Sequence, residues 1–175
     1  MKAQEWHEQG LAHYRAGAHA QALDAFARAQ SAYEKDGDQV NAAEMLNNQG
    51  VAHRMLREWD KARDAFSKAR ERFADTGDRS RQAQAAANLG LLLTNRGQSK
   101  EALPYLKEAL DTFQADKDRA RESDTRRVLS LAYFKQRRWL EALSAYAAAL
   151  DCAPRLSVGQ RLLRRLFKLP LRFLS

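Results

Sequence analysis

Small, apolar and aromatic residues recur along this chain with a period of 40 residues. The register of smallest residues consists of Gly10, Gly50, Gly90 and Ser130. An alanine follows in every unit, at Ala22, Ala62, Ala102 and Ala142, and a large residue lies four positions beyond it, at Phe26, Phe66, Leu106 and Tyr146. Residues four apart share one face of a helix. The pattern therefore predicts stacked helical repeats that bury these positions between neighbouring helices.

Within one period, the polar residues predict two antiparallel helices, A and B. In the second unit Asp38 is placed to cap helix A, which we expect from about Gln39 to Leu56. Trp59 begins helix B, which ends near Asp75. Each period is therefore one helical hairpin.

The junctions between hairpins also repeat. Gly37 and Gly77 each precede a capping aspartate, where a residue that tolerates positive φ ends the foregoing helix. Asp78 and Asp118 are the later caps, but Lys117 replaces the glycine before the last of them. We expect that third junction to be less sharply turned. Three tryptophans are expected to pack at the seams between helices, namely Trp6, Trp59 and Trp139.

Composition supports a helical chain with one continuous array. The 175 residues include only three prolines and eight glycines. This scarcity of helix breakers predicts an all-α fold, a right-handed α-solenoid of four helix-turn-helix repeats with a C-terminal capping helix. The repeats are expected at about 3–36, 38–76, 78–116 and 118–154, and a cationic capping helix and tail at 155–175.

These positions resemble the tetratricopeptide repeat family, whose pattern is W-x-x-L-G-x-x-Y, then A-x-x-x-F, then Pro. The matching residues are Trp6, Gly10, Ala22 and Phe26 in the first unit, Leu89, Gly90 and Ala102 in the third, and Leu129, Tyr133, Ala142, Tyr146, Ala149 and Pro154 in the fourth. The period exceeds the family's usual length of about 34 residues and resembles its longer-helix variants. The resemblance implies an adaptor without catalysis that binds a peptide or helix of a partner protein in a concave groove lined by the A helices.

Under that resemblance, the A-helix residue after each small position is a candidate for the groove floor. These residues are Leu11, Val51, Leu91 and Leu131. They are either a stripe of the core or an apolar floor that receives an amphipathic helix or an extended peptide.

Polar residues on the same helices give the groove a candidate chemistry. Similar asparagines in the family hold a bound peptide backbone, so Asn48 and Asn88 are either a peptide clamp or ordinary solvated or repeat-bridging residues. Four basic residues would favour an acidic or carboxylate-bearing ligand: Arg15, Arg54, Arg127 and Lys135. Acidic neighbours such as Glu44 and Asp124 leave a mixed, solvated face as the alternative.

Nothing in the sequence indicates catalysis. The four histidines lack the helical spacing of a metal site, and no nucleophile elbow, phosphate loop or dinucleotide fingerprint is present. We therefore expect no enzyme activity, no catalytic residues, no metal and no cofactor. A single cysteine, Cys152, and a polar N-terminal stretch favour a soluble protein in the cytoplasm.

The C-terminal segment is strongly cationic. Six of the 30 basic residues lie in the last 21 positions, which contain no acidic residue, so 24 basic residues face 22 acidic ones in the nearly neutral remainder. This distribution argues against nucleic-acid binding as a role of the repeats. Ser157 can cap a helix from about Val158 to Leu169 with a basic face opposite an apolar one.

Three roles for this amphipathic segment stay open. It could cap the last repeat, bind an anionic membrane surface at the inner face of the membrane, or pair with a second copy in a homodimer. The candidate contact residues are Arg161, Leu162, Arg165, Leu166, Lys168 and Phe173.

Overall fold

The computed structural model describes residues 2–167 of the chain. Over that range the chain is all-α, with no β-strand. The helices are α1 (Ala3–Arg15), α2 (His19–Lys35), α3 (Gln39–Met55), α4 (Trp59–Asp75), α5 (Arg79–Asn95), α6 (Ser99–Ala115), α7 (Arg119–Lys135), α8 (Trp139–Cys152) and α9 (Val158–Phe167). The predicted all-α repeat fold is confirmed, and the predicted bounds of α3 and α4 agree with the observed ones to within one residue.

Aspartate caps begin three of the A helices, as predicted. The Oδ1 atoms of Asp38, Asp78 and Asp118 accept hydrogen bonds from the backbone N–H three residues later, at 3.0, 3.0 and 2.9 Å. Each cap satisfies a backbone donor that the first helical turn leaves without a partner. These side chains fix where α3, α5 and α7 start.

The expectation of a looser third junction is wrong. Lys117 adopts φ 56°, close to the 77° of Gly37 and the 74° of Gly77. The hydrogen bond that closes the turn, from the backbone N–H of Asp118 to the carbonyl of Phe113, measures 2.9 Å. A lysine can occupy this left-handed region at a steric cost of about 1–2 kcal/mol, so the turn keeps its geometry without glycine.

The chain divides into two compact units, Met1–Leu92 and Leu93–Ser175. In the first unit the glycines of the repeat face aromatic rings. A Cβ atom on Gly10 would lie 2.5 Å from the ring of Phe26, and one on Gly50 would lie 2.6 Å from the ring of Phe66. Only glycine allows these rings to pack directly on the A-helix backbone.

The core of the first unit passes from one hairpin to the next. Phe26, Ala22 and Ala29 of α2 form a buried cluster with Met45 of α3. Partly buried side chains pack against this cluster, namely Trp6, Leu11, Tyr14 and Tyr33. The next A helix therefore completes the core of the preceding hairpin.

The second unit uses hydrogen bonds at equivalent places. Ser130, in the glycine register, donates its Oγ–H to the carbonyl of Ala142 at 2.8 Å and so links α7 to α8. Buried Glu122 of α7 accepts hydrogen bonds from Gln114 at 3.2 Å and from Arg126 at 3.1 Å. The polar contacts of Glu122 join α6 to α7.

The fourth hairpin ends earlier than the others. Helix α8 has 14 residues, whereas α2, α4 and α6 each have 17. Pro154 explains the early end, because a proline disfavours helical φ and ψ in the preceding residue, and Ala153 is extended with ψ 127°. The 40-residue register therefore breaks before α9.

Helix α9 starts at the predicted cap. The backbone N–H of Gln160 donates to Ser157 Oγ at 3.3 Å, and the Ser157 N–H donates to the Gln160 side chain at 2.9 Å. Helix α9 packs against α8, as expected for a capping helix, and Arg164 pairs with Asp151 at 3.3 Å.

Candidate functional site

In the first unit, the predicted groove-floor residues lie in one register on three A helices. Leu11 is on α1, Val51 on α3 and Leu91 on α5, and each is half-buried. Leu11 packs against the core cluster around Phe26, so part of its side chain belongs to the core. The accessible remainder of each side chain is what a ligand could contact.

The two predicted asparagines have different surroundings. The Nδ2 of Asn88 donates to Oδ1 of Asn47 at 2.9 Å, which bridges α5 to α3. Asn47 is only 4% exposed, and the repeat pattern does not mark it as a site residue. The signal for it is the polar run Asn47, Asn48 and Gln49, since a polar residue on the buried side of a helix needs a partner. Asn48 itself is half-buried.

The predicted basic residues also differ in what they contact. In the first unit Arg15 is exposed and Arg54 is half-buried. In the second unit Arg127 lies 3.7 Å from Asp124, and both side chains are exposed. Lys135 donates to the carbonyl of Thr94 at 2.8 Å, so it binds the C-terminal end of α5, where a cation is favoured.

Leu131 lies in an open apolar surface of the second unit. We call this surface the end face and define it by Val128, Leu131, Phe134, Trp139, Leu143 and Tyr146. A depression of about 480 Å³ is lined by Leu131, Phe134 and Tyr146, among others. Phe134 packs edge-on against Trp139, with ring centroids 5.0 Å apart. Trp139 is 55% exposed, so the expectation that it packs at a seam is wrong.

The candidate contact residues of α9 fall on its accessible side. Arg161 and Arg165 are exposed, and Leu162 and Leu166 are 61% and 56% exposed. The two other candidates, Lys168 and Phe173, lie outside the described residues. The side of α9 that is half-buried carries Leu163 and Phe167.

Titratable groups form structural contacts. Nδ1 of His53 lies 2.6 Å from Oε2 of Glu58, across the turn from α3 to α4. Burial raises the pKa of Glu122, but hydrogen bonds from Cys152, Arg126 and Gln114 outweigh it, and the pKa lies below the usual range. Burial and the hydrogen bond to Glu122 raise the pKa of the Cys152 thiol, which disfavours a reactive thiolate.

Two classes of site are not found in the described part of the chain. Residues 2–167 contain no group of three or more His, Cys, Asp or Glu side chains arranged to hold a metal ion. Over the same range, no helix has the length and apolar character needed to cross a membrane.

Known proteins share this architecture. BtubC (BKLC) from P. vanneervenii superposes with a TM-score of 0.78 and 21% identity, over 89% of this chain and 68% of that one. The MamA RS-1 ArsTM double mutant gives a TM-score of 0.67 and 20% identity, over 94% of this chain and 82% of that one. At such identities the likeness shows the fold alone. Among curated proteins, none matches the sequence significantly. The family model for the tetratricopeptide repeat matches residues 3–75 and 81–155, and the chain belongs to that family.

Proposed function

We propose that this chain is a non-catalytic adaptor that binds a peptide or helix of a partner protein along the A helices of its first unit. Tetratricopeptide repeats are generally interaction modules without catalysis, which supports the general role. The observation that carries the more specific proposal is the half-buried register Leu11, Val51 and Leu91. These residues keep accessible apolar surface on α1, α3 and α5.

Polar groups beside this register favour a ligand with free hydrogen-bonding groups. Asn48 lies three residues before Val51, hence on the same face of α3. Its amide offers both a donor and an acceptor, which suits the backbone of an extended peptide. Arg54 lies one turn further along α3 and supplies a positive charge for a carboxylate.

The bridge between Asn88 and Asn47 narrows this assignment. One donor of the Asn88 amide is held by Asn47, so Asn48 is the better candidate for contacting a ligand. Replacing Asn88 would leave a polar atom of buried Asn47 without that hydrogen bond, which costs about 1–3 kcal/mol. A binding test that uses Asn88→Ala must therefore be corrected for lost stability, whereas Asn48→Ala is the cleaner variant.

Site-specific photo-crosslinking in cells of the source organism tests the proposal. A photoreactive phenylalanine analogue is placed at Val51 or Leu91, and in a matched control at Lys68, which is exposed on the B helix α4. We expect a discrete crosslinked protein band from the two A-helix positions only. Asn48→Ala should reduce that band at unchanged protein abundance.

Two results would refute the groove assignment. One is the same band pattern from Lys68 as from Val51. The other is an undiminished band in the Asn48→Ala protein, together with normal folding by circular dichroism.

A second candidate function rests on α9. Exposed Leu162 and Leu166 lie beside exposed Arg161 and Arg165, a pattern that suits the headgroup region of an anionic membrane. We propose peripheral attachment at the inner face of the membrane as this second role. Each basic residue near anionic lipid contributes about 1 kcal/mol.

Vesicle sedimentation tests the membrane role with the full chain. Anionic vesicles of phosphatidylglycerol and phosphatidylcholine should co-sediment the protein, and phosphatidylcholine alone should not. Leu162→Glu combined with Leu166→Glu should abolish binding. A matched Leu56→Glu change, at an exposed leucine after α3, should not. Equal binding to both vesicle types would exclude this role.

A further inference from the structure

The exposed large apolar residues of this protein concentrate in the fourth hairpin. In the end face, Leu131, Phe134, Trp139 and Leu143 are 38%, 56%, 55% and 50% exposed. Trp139, Leu143 and Tyr146 lie four and three residues apart, hence along one side of α8. Together with Leu131 and Phe134 on α7, they make a surface that two helices share.

The repeat itself shows what such a surface binds. The residues of the first hairpin that share a register with Leu131, Phe134 and Tyr146 are Leu11, Tyr14 and Phe26. Those residues pack in and against a cluster that includes Met45, which α3 supplies. The same surface in the first hairpin is thus completed by a helix that presents an apolar side chain. An α-helix is the occupant for which the end face has the right shape.

Helix α9 leaves the end face open. Its N-terminal part lies beside Arg127, Ser123 and Leu150, where a depression is bordered by Gln160. Its ion pair is with Asp151, at the C-terminal end of α8. Trp139 and Leu143 are in the N-terminal half of α8 and remain at least half exposed.

Charge favours a different protein over a second copy as the occupant. Residues 124–146 carry five basic and two acidic side chains, whereas the matching residues 4–26 carry one basic and three acidic. Two end faces brought together would therefore oppose like charges. Stacking α1 of a second copy on the end face would place exposed Glu5 where α3 has Met45. A partner with acidic residues would meet neither obstacle.

We propose that the end face is a second interaction surface, beyond the groove, and that it binds an amphipathic α-helix of another protein with an apolar stripe and acidic flanks. Phe134, Trp139, Leu143 and Tyr146 contact the stripe. Basic residues around the face, Arg127 and Arg137 among them, attract the flanks.

The test uses the full chain and two synthetic 18-residue helical peptides with the same stripe of leucine and alanine. Glutamate flanks the stripe in one peptide and lysine in the other. Fluorescence anisotropy should show binding of the acidic peptide and at least about tenfold weaker binding of the basic one. The affinity for the acidic peptide should fall as salt is raised. Equal affinity for both peptides, or no binding of the acidic one, overturns the proposal.

Matched variants locate the bound peptide. Leu143→Glu should weaken binding by about tenfold or more, since it puts a charge into the centre of the contact. Met55→Glu, at a residue 44% exposed beside Arg54 of the proposed groove, should leave the affinity unchanged. Loss of binding with Met55→Glu and Asn48→Ala, but not with Leu143→Glu, would assign the peptide to the groove and overturn the end-face proposal.

Two further measurements exclude other occupants. Sedimentation equilibrium of the chain alone should give a monomer; a dimer that Phe134→Glu dissociates would mean that a second copy fills the face. Phe173→Glu in the full chain should not change peptide affinity. A gain of about tenfold or more would mean that the chain's own C-terminal residues compete for the face, which contradicts the proposal.

Discussion

Two aromatic pairs in this protein share one register and differ in what surrounds them. Tyr14 and His19 join α1 to α2 with ring centroids 5.3 Å apart, and Tyr14 packs against the cluster that contains Met45 of α3. Three periods later Phe134 and Trp139 join α7 to α8 at 5.0 Å, and both are more than half exposed. The same hairpin geometry gives a core in one place and an open surface in the other. The helix that follows a hairpin decides which it becomes.

The two ends of the chain differ in the same sense. The outward positions of α1 that correspond to Met45 and Ala52 of α3 are Glu5 and Ala12, both exposed. The array thus begins with a polar or small surface and ends with a large apolar one. Solenoids require polar terminal surfaces for solubility. The apolar end is therefore the one that calls for a partner.

The largest predicted effect contrasts Phe26 with Tyr146, which share a register. Phe26 is 1% exposed, so Phe26→Ala should lower the free energy of unfolding by about 3–5 kcal/mol. Tyr146 is half-buried beside the end face, so Tyr146→Ala should cost less than about 2 kcal/mol. Urea unfolding followed by circular dichroism measures both. Equal losses would mean that the end face is covered in solution.

The second prediction separates the polar bridges of the two units by pH. Because its folded pKa is depressed, Glu122 contributes stability that is complete above its unfolded pKa and is lost as the pH falls through its folded pKa. Glu122→Gln should therefore cost about 1.5–3 kcal/mol at pH 7, and this difference from the unmodified protein should shrink below about pH 4. The bridge between Asn47 and Asn88 is uncharged, so the cost of Asn88→Ala should not change with pH over that range. A cost of Glu122→Gln that is constant with pH would contradict this account.

The third prediction compares Gly50 with Ser130, two occurrences of the same small position. Gly50→Ala forces a methyl group into the ring of Phe66 and should cost about 1–3 kcal/mol. Ser130→Ala only removes the hydrogen bond to Ala142, which is worth about 0.5–1.5 kcal/mol. Phe66→Leu should rescue Gly50→Ala in part, since it makes room for the methyl group. Thermal unfolding of these variants gives the comparison, and the absence of any rescue would argue against the ring contact.

The smallest effect concerns the junctions between hairpins. Gly77→Ala places a side chain at φ 74° and should destabilise the first unit by about 1 kcal/mol. Lys117→Gly relieves the same strain in the second unit and should raise the melting temperature slightly, by less than about 1 kcal/mol of stability, because glycine also gains entropy in the unfolded chain. A lower melting temperature for Lys117→Gly would show that Lys117 is unstrained.

Local signals in the sequence were sufficient for the helices and for the close contacts. Asp38 and Asp118 marked helix starts because an aspartate at that position satisfies a backbone donor. Gly10 and Gly50 marked contacts with large rings because no other residue fits there. These features depend on a few neighbouring atoms, and a period of 40 residues repeats them often enough to be read.

Other features depended on contacts that the pattern does not encode. The left-handed turn between helices A and B falls at Gly17, Arg57, Gly97 and Arg137, where arginine in half of the units hid the period. The partner of Asn88 proved to be Asn47, one residue before its repeat equivalent. The open end face followed from the early end of α8 at Cys152, after which α9 no longer keeps the register of an A helix.

Thiol labelling of matched cysteines tests the difference between the two hairpins most directly. Tyr14→Cys and Phe134→Cys are each introduced into a Cys152→Ser background, and the rate of reaction with a maleimide is measured for the full chain under native conditions. The thiol at position 134 should react at nearly the rate of the unfolded protein, and the thiol at position 14 on the order of tenfold more slowly, because local opening must precede its reaction. Equal protection of the two thiols would contradict an open apolar surface on the fourth hairpin.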